Sequence, residues 1–86
     1  PAPPSLTERL ALILRHVAHL HTFYGDFMGV RIARKHVAWY MQNNHCHDIT
    51  AAMDYRRAFN ALATPLEQLY FINHYFQTSS NEVLAA

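Results

Sequence analysis

Three basic side chains, Arg31, Arg34 and Lys35, lie close together in the sequence, and the stretch 27–47 around them contains no acidic residue. On a helix, residues three and four apart share one face, so these positive charges would reinforce one another. A guanidinium group offers two parallel donors that fit a phosphate, and an ammonium group adds a compact positive charge. The pattern indicates a surface for an anionic partner, which could be DNA, RNA or an acidic protein.

Three further arginines could extend this surface, and we include them in the predicted binding set. Arg57 lies on the polar side of the third predicted helix, Arg56 at its edge, and Arg15 on the first predicted helix. Basic residues on one helix are also common on ordinary solvated surfaces. The sequence pattern therefore leaves two function classes open, a nucleic-acid-binding domain and a structural or protein-interaction bundle.

Seven histidines and one cysteine could suggest a metal site or a nucleophile. A zinc site needs three or four converging nitrogen or sulfur ligands, and the group His45-Cys46-His47 has no second cysteine to support it. His19 and His21 are two apart on a predicted helix and point in different directions. Cys46 has neither an orienting third group nor an oxyanion hole. We predict no metal, catalytic or cofactor-binding residue in this chain.

The composition is that of one small globular domain. The chain has 86 residues, of which 51% are hydrophobic and 15% charged, with only two glycines. Gly-rich phosphate loops cannot be built from two glycines. No apolar run approaches the ~20 residues that a membrane span requires, so we expect no membrane partner.

The elements that position these side chains are predicted to be helices. Ser5 and Glu8 fit a capping box, Gly25 ends the first apolar periodicity, and the run 64–67 (TPLE) combines an N-cap, a first-turn proline and a capping glutamate. We predict helices at 6–24, 27–42, 49–62 and 65–77. Helices joined by short loops pack as antiparallel neighbours, so the predicted fold class is all-α, a small antiparallel four-helix bundle.

The second and fourth predicted helices carry apolar residues on more than one side. The apolar arc of the second includes His36 and Trp39, which we expect to be buried. The fourth has one predicted inner stripe, with Phe71 and Tyr75 on its flank and Tyr70 on the other side; the members of the stripe are Leu66, Leu69, Ile72 and Phe76. The flanking aromatics either wrap the small core or form a docking face for a neighbouring domain.

The sequence opens with PAPPS and has no initial methionine. A Pro-rich opening is typical of a linker. We therefore expect residues 1–5 to be a linker, 6–78 to be the helical domain and 79–86 to be a C-terminal tail, all within a piece of a larger protein.

The run HLHTFYGDFMGVRIARKHVAWYMQ, from His19 to Gln42, closely resembles the C-terminal region of bacterial tRNA-dihydrouridine synthases, most like the B subfamily. The run RRAFNALATPLEQL, from Arg56 to Leu69, resembles the next part of that region. The likeness covers roughly residues 16–76, and the combination of FYG, GVRIARKH and WY is specific. The segment between these two runs matches poorly.

This resemblance implies a function. Such enzymes have an FMN-binding (β/α)₈ barrel, followed by a small helical domain that helps to grip tRNA, and they use NADPH to reduce a uridine in the tRNA D-loop. The implied partners are tRNA and the FMN-binding barrel of the same parent chain, and the implied location is cytoplasmic. The residues Arg31, Arg34 and Lys35 match the family's RIARK segment and are expected to contact tRNA phosphates. FMN and NADPH would be held by the parent enzyme and not by this chain, which would have no catalysis of its own.

Overall fold

The computed structural model describes the backbone of residues 5–44 and 49–85, and the side chains of residues 5, 7–40, 50 and 53–75. These ranges contain three helices: α1 (Leu6–Asn44), α2 (Ile49–Asn60) and α3 (Pro65–Ala85). They contain no strand, which confirms the all-α class. The structure shows three helices where we predicted four.

The difference in number arises at Gly25, where α1 folds back on itself. Gly25 has φ 86° and ψ 172°, a backbone conformation that is accessible essentially to glycine alone. The first arm of α1 (residues 6–24) and the second arm (26–44) then run side by side in opposite directions. His16 Nδ1 lies 3.3 Å from the Tyr40 hydroxyl oxygen, and the His16 and His36 ring centroids are 4.9 Å apart. The predicted helices 6–24 and 27–42 correspond to these two arms.

Gly29 allows the arms to approach closely near the turn. A Cβ atom at this position would lie 2.7 Å from the Leu20 carbonyl oxygen and 2.8 Å from the His21 Cα, both of which belong to the first arm. Contacts this short between backbone and Cβ do not occur without displacement. The two glycines of the chain therefore serve one hairpin, Gly25 by its backbone conformation and Gly29 by its lack of a side chain.

The remaining helix boundaries agree with the sequence in part. α2 ends at Asn60 and is followed by turn bonds from the Ala61 and Leu62 N–H groups to carbonyls three residues earlier. α3 begins at Pro65, as predicted, but it continues to Ala85 and not to 77. The end at 77 was predicted because residues 78–85 include polar residues of only moderate helix propensity. That prediction was wrong, since this segment contains neither glycine nor proline to stop the helix.

The two helix starts with predicted capping boxes, at Ser5 and Thr64, are both capped. The Glu8 N–H donates to the Ser5 hydroxyl oxygen at 3.1 Å, and the Glu67 N–H donates to the Thr64 hydroxyl oxygen at 3.2 Å. The second capping box is complete, because the Thr64 N–H donates back to the Glu67 carboxylate at 3.2 Å. The Thr64 hydroxyl also donates to this carboxylate at 2.8 Å, and this bond is the main reason that the pKa of Glu67 is lowered.

The core lies where both arms of α1 meet α2 and α3. Its buried members come from all four of these segments: Ile13, Val17, Ala33, Val37, Phe59, Ile72 and Tyr75. Tyr55, Leu62 and Phe71 are partly buried against it. Phe71 and Tyr75 therefore wrap the chain's own core, the first of the two alternatives that the sequence left open.

The inner stripe predicted for α3 was wrong at Leu66, and its member Phe76 lies outside the described side chains. Leu66 is exposed, while Gln68, four residues before Ile72, is completely buried. A glutamine is normally assigned to the surface, but its amide can occupy a core when both of its ends are hydrogen-bonded.

Gln68 meets this condition by joining α3 to both arms of α1. The Gln68 side-chain N–H donates to the Val30 carbonyl oxygen at 3.1 Å, and its carbonyl oxygen lies 2.6 Å from His21 Nε2. Since an amide oxygen only accepts, the His21 Nε2 carries the proton in this contact. The buried His21 Nδ1 has no partner among the described residues.

Trp39 is 61% exposed, so the prediction that it is buried was wrong. It stands two residues, or about 200° around the helix, beyond the buried Val37, and so it faces away from the core. His36, which we also expected to be buried, is half-buried, and its ring lies against that of His16.

Candidate nucleic-acid interface

Arg31 and Lys35 are exposed on the outer face of the second arm. Because they are four residues apart on one helix, they lie on the same side of it, one turn apart. The core-facing residues of this arm, Val30, Ala33 and Val37, hold the helix against the rest of the fold and leave these two cations in solvent. The structure thus brings two of the predicted binding residues together on one accessible surface.

The side chain of Arg31 contacts the aromatic ring of Phe27. The Arg31 Cζ atom lies 5.7 Å from the centroid of the Phe27 ring, which is the geometry of a cation–π contact between residues four apart. Phe27 itself is 73% exposed. The guanidinium group is thereby held above an aromatic ring that remains largely in solvent.

Trp39 lies one turn beyond Lys35, as Phe27 lies one turn before Arg31. Its ring lies edge-on to that of Tyr40, with centroids 5.3 Å apart, and the Tyr40 hydroxyl lies 3.3 Å from His16 on the first arm. We call the four exposed residues Phe27, Arg31, Lys35 and Trp39 the outer ridge. The sequence reasoning missed both aromatic members, although their spacing of four from the two cations was visible in it.

Arg34 is positioned differently from its two neighbours. It is half-buried, and its Nη2 donates to the Leu62 carbonyl oxygen at 3.1 Å. Its Nε is buried without a partner among the described residues. A cation beside the carbonyls that follow α2 stabilises that helix end and ties the α2–α3 turn to the second arm. Whether its guanidinium group also reaches a phosphate stays a prediction.

The other three arginines of the predicted set are all exposed. Arg56 and Arg57 lie on α2. Arg15 lies on the first arm, where it lines an apolar groove of about 500 Å³ whose opposite wall is α3. None of the outer-ridge residues lines this groove, so Arg15 belongs to another surface. The phosphate-binding role of these three residues stays a prediction.

The apolar groove is the second candidate surface. Leu14 and Ala18 line it from the first arm and Leu69 from α3, and its rim includes Leu66 and Tyr70, which is 71% exposed. A second groove on the far side of Leu66 and Tyr70 is lined by Leu62, Thr64, Glu67, Phe71 and His74. Together they give α3 an apolar outer face.

The described histidines do not form a metal site. No group of three or more His, Cys, Asp or Glu side chains converges among the described residues. His21 is held by Gln68, and His16 lies between His36 and Tyr40. The group His45-Cys46-His47 lies outside the described residues. Within the described part of the chain, no helix is long and apolar enough to cross a membrane.

The fold and the site define a small all-α domain with a cationic, aromatic-flanked ridge on one face and an apolar groove on another. A profile of the family named dihydrouridine synthase (Dus) matches residues 1–81, and the chain belongs to this family.

Individual relatives agree with the family match. The chain is 47% identical over 73 residues to tRNA-dihydrouridine synthase B of Pasteurella multocida, which is 85% of the chain and 20% of that relative. It is 45% identical over 71 residues to tRNA-dihydrouridine synthase B of Vibrio cholerae, with 83% and 20% covered. It is 44% identical over 75 residues to that of Escherichia coli K12, with 87% and 22% covered. The chain thus spans about a fifth of the length of these relatives, at their C-terminal end.

Proposed function

We propose that this chain is the tRNA-binding accessory region of an FMN-dependent tRNA-dihydrouridine synthase. The parent enzyme would reduce a D-loop uridine to dihydrouridine with NADPH, and this helical region would hold the tRNA while it does so. The observation that carries the proposal is the exposed pair Arg31 and Lys35, without an acidic neighbour on the ridge, in a chain that belongs to the Dus family.

The redox chemistry is assigned to the rest of the parent enzyme. A flavin phosphate is commonly held by glycine-rich turns or helix N-termini whose backbone N–H groups point at it. The chain has two glycines, and both are used in the α1 hairpin. The N-terminus of α3 is closed by its own capping box. Neither the glycines nor this helix N-terminus offers such a phosphate site, which supports our proposal that FMN and NADPH are bound outside this chain.

Binding of tRNA would be measured by titration at several salt concentrations. Each phosphate that a cation neutralises adds about 0.7–0.9 to the magnitude of the slope of log affinity against log salt. For the double variant Arg31→Ala, Lys35→Ala we expect weaker binding and a slope that is shallower by about 1.5, with an unchanged melting temperature because both side chains are exposed.

Single variants provide the matched control for this titration. Arg9 is the only Lys or Arg outside the predicted set, so Arg9→Ala removes the same charge as Lys35→Ala from another place. We expect Lys35→Ala to reduce the salt slope and Arg9→Ala to leave it unchanged. If both variants, or neither, change the slope, then the outer ridge does not provide the phosphate contacts.

The alternative function is a structural or protein-interaction bundle without RNA contact. The apolar groove between the first arm and α3 favours a protein-interaction role for that face of the domain. We propose that the FMN-binding barrel of the parent chain binds in this groove. The substitutions Leu66→Ser and Tyr70→Ser should then weaken association with the separately produced barrel region and leave tRNA affinity unchanged. Association of the unsubstituted chain with the barrel region, without measurable tRNA binding at any salt concentration, would favour this alternative.

A further inference from the structure

The outer ridge combines two cations with an exposed aromatic residue at each end. Its four exposed residues, Phe27, Arg31, Lys35 and Trp39, follow one another at intervals of four along the second arm. Residues at this interval form a continuous ridge on a helix surface. Each step advances about 6 Å along the axis and about 40° around it, so the two aromatic ends are about 18 Å apart along the axis and about 120° apart around it. The ridge thus runs aromatic, cation, cation, aromatic.

We propose that this ridge binds unpaired RNA nucleotides, with bases stacked on Phe27 and Trp39 and the intervening phosphates on Arg31 and Lys35. The inference rests on the proposed function and specifies the part of the RNA that is recognised. Single strands are typically held by a positively charged track combined with aromatic side chains on which bases stack. A paired helix keeps its bases inside the stack, so exposed rings have little to bind there, whereas loops and ends offer splayed bases.

Both aromatic ends are held in place before any ligand arrives. Phe27 carries the Arg31 guanidinium over its ring, with Cζ 5.7 Å from the centroid, and a guanidinium plane is itself a surface on which a base can stack. Trp39 is braced by Tyr40, which is tied to the first arm through His16. Side chains that are already ordered lose less conformational entropy when a ligand binds.

Charge complementarity favours RNA over a neutral apolar partner. The ridge carries two positive charges and no carboxylate, and the acidic residue nearest to it in sequence, Asp26, lies about 100° around the helix from Phe27 on the side away from Arg31. A strand stacked as in a duplex advances about 3.4 Å per nucleotide, so the rise of about 18 Å along the helix axis corresponds to about five such steps.

The chain provides its own reporter for the test, because Trp39 is its only tryptophan. A twelve-nucleotide oligouridylate is titrated into the chain while Trp39 emission is recorded. Heparin (a polyanion without bases), polyglutamate and a twelve-base-pair RNA duplex are titrated in parallel. We expect saturable quenching by the oligouridylate, and little or no quenching by heparin or by the duplex at concentrations where each is bound.

Variants separate stacking from charge. With a labelled oligouridylate we expect Trp39→Leu and Phe27→Leu each to weaken binding about 5-fold to 150-fold, the range for loss of one stacked base. Trp39→Phe should recover part of the loss, because it restores a ring. Tyr70→Leu is the matched control, since Tyr70 is as exposed as Phe27 but lies on α3, and it should change nothing. Circular dichroism establishes that each variant is folded.

Several outcomes would overturn the inference, and they are distinguishable from failure of the proposed function. Salt-dependent oligouridylate binding with unchanged Trp39 emission and unaffected leucine variants would mean that the ridge holds phosphates only, and the proposed function would survive. Equal affinity for the duplex would remove the preference for unpaired nucleotides. Quenching by polyglutamate as strong as by the oligouridylate would make the ridge a site for acidic protein. No binding of tRNA or of the oligouridylate would refute both proposals.

Discussion

Replacement of Gly29 by alanine tests the close approach of the two α1 arms. From helix propensity alone, Gly29→Ala should stabilise the chain by up to about 1 kcal/mol, because glycine is the poorer helix former. The structure gives the opposite sign. The added Cβ would meet the Leu20 carbonyl oxygen at 2.7 Å and the His21 Cα at 2.8 Å, and these backbone atoms cannot rotate away as a flexible side chain could.

The magnitude follows from these two opposing effects. Overpacking typically costs about 1–3 kcal/mol, and the short contacts to backbone atoms of Leu20 and His21, which cannot rotate away, favour the upper part of that range. Subtracting the propensity gain leaves a net loss of about 1–2 kcal/mol. For a domain of this size each kcal/mol lowers the melting temperature by about 4–8 °C, so we expect a decrease of roughly 4–16 °C.

The assay is thermal and urea unfolding of both proteins, followed by circular dichroism at the helix band. Ala11→Gly, at an exposed position in the first arm, measures the propensity effect in this chain without any packing change. Gly25→Ala provides a second reference, since no atom lies within 4 Å of the added Cβ and its cost should be conformational alone. A melting temperature of Gly29→Ala equal to or above that of the parent would refute the close approach of the arms.

Two further changes test the contacts that fix α3. Gln68→Leu keeps the side-chain volume but leaves the buried His21 Nε2 proton unpaired and removes the bond to the Val30 carbonyl. The free energy of unfolding in urea should therefore fall by about 1–3 kcal/mol. An unchanged urea midpoint would show that these bonds contribute nothing to stability. Thr64→Ala removes the N-cap and should cost about 1 kcal/mol at neutral pH. Because the folded state lowers the pKa of Glu67, chiefly through the Thr64 hydroxyl, this carboxylate adds stability above its ordinary pKa that is lost as the pH falls through the lowered value. The difference between parent and Thr64→Ala should therefore narrow in acid, and a constant difference from pH 7 to pH 2 would contradict the assignment.

Much of the fold follows from local sequence signals, and the errors have identifiable causes. The capping boxes at Ser5 and Thr64 predicted two helix starts correctly, because each is satisfied within four residues. Gly25 predicted the break in α1 for the same local reason. The inner face of α3 could not be predicted, since the burial of Gln68 depends on partners 38 and 47 residues away in the sequence.

The candidate site was predicted less completely than the fold. The exposure of Arg31 and Lys35 agrees with the polar arc of the predicted helix. Trp39 was assigned to the core because it was counted within the apolar arc of the helix, although its angular position opposes Val37. The half-burial of Arg34 depends on the Leu62 carbonyl, which reaches it only after α2 has packed. Distant backbone groups of this kind leave no periodic signal in the sequence.

The hairpin at Gly25 also has a consequence for the order of folding. Its contacts join residues that are close in sequence, from eight apart at the turn to 24 apart at His16 and Tyr40, whereas the contact between His21 and Gln68 spans 47 residues. Closing a short loop costs less chain entropy than closing a long one, and proteins rich in local contacts fold faster. We expect the two arms to associate before α3 docks. The surface that carries Arg31 and Lys35 would then be formed early in folding, before the core is complete.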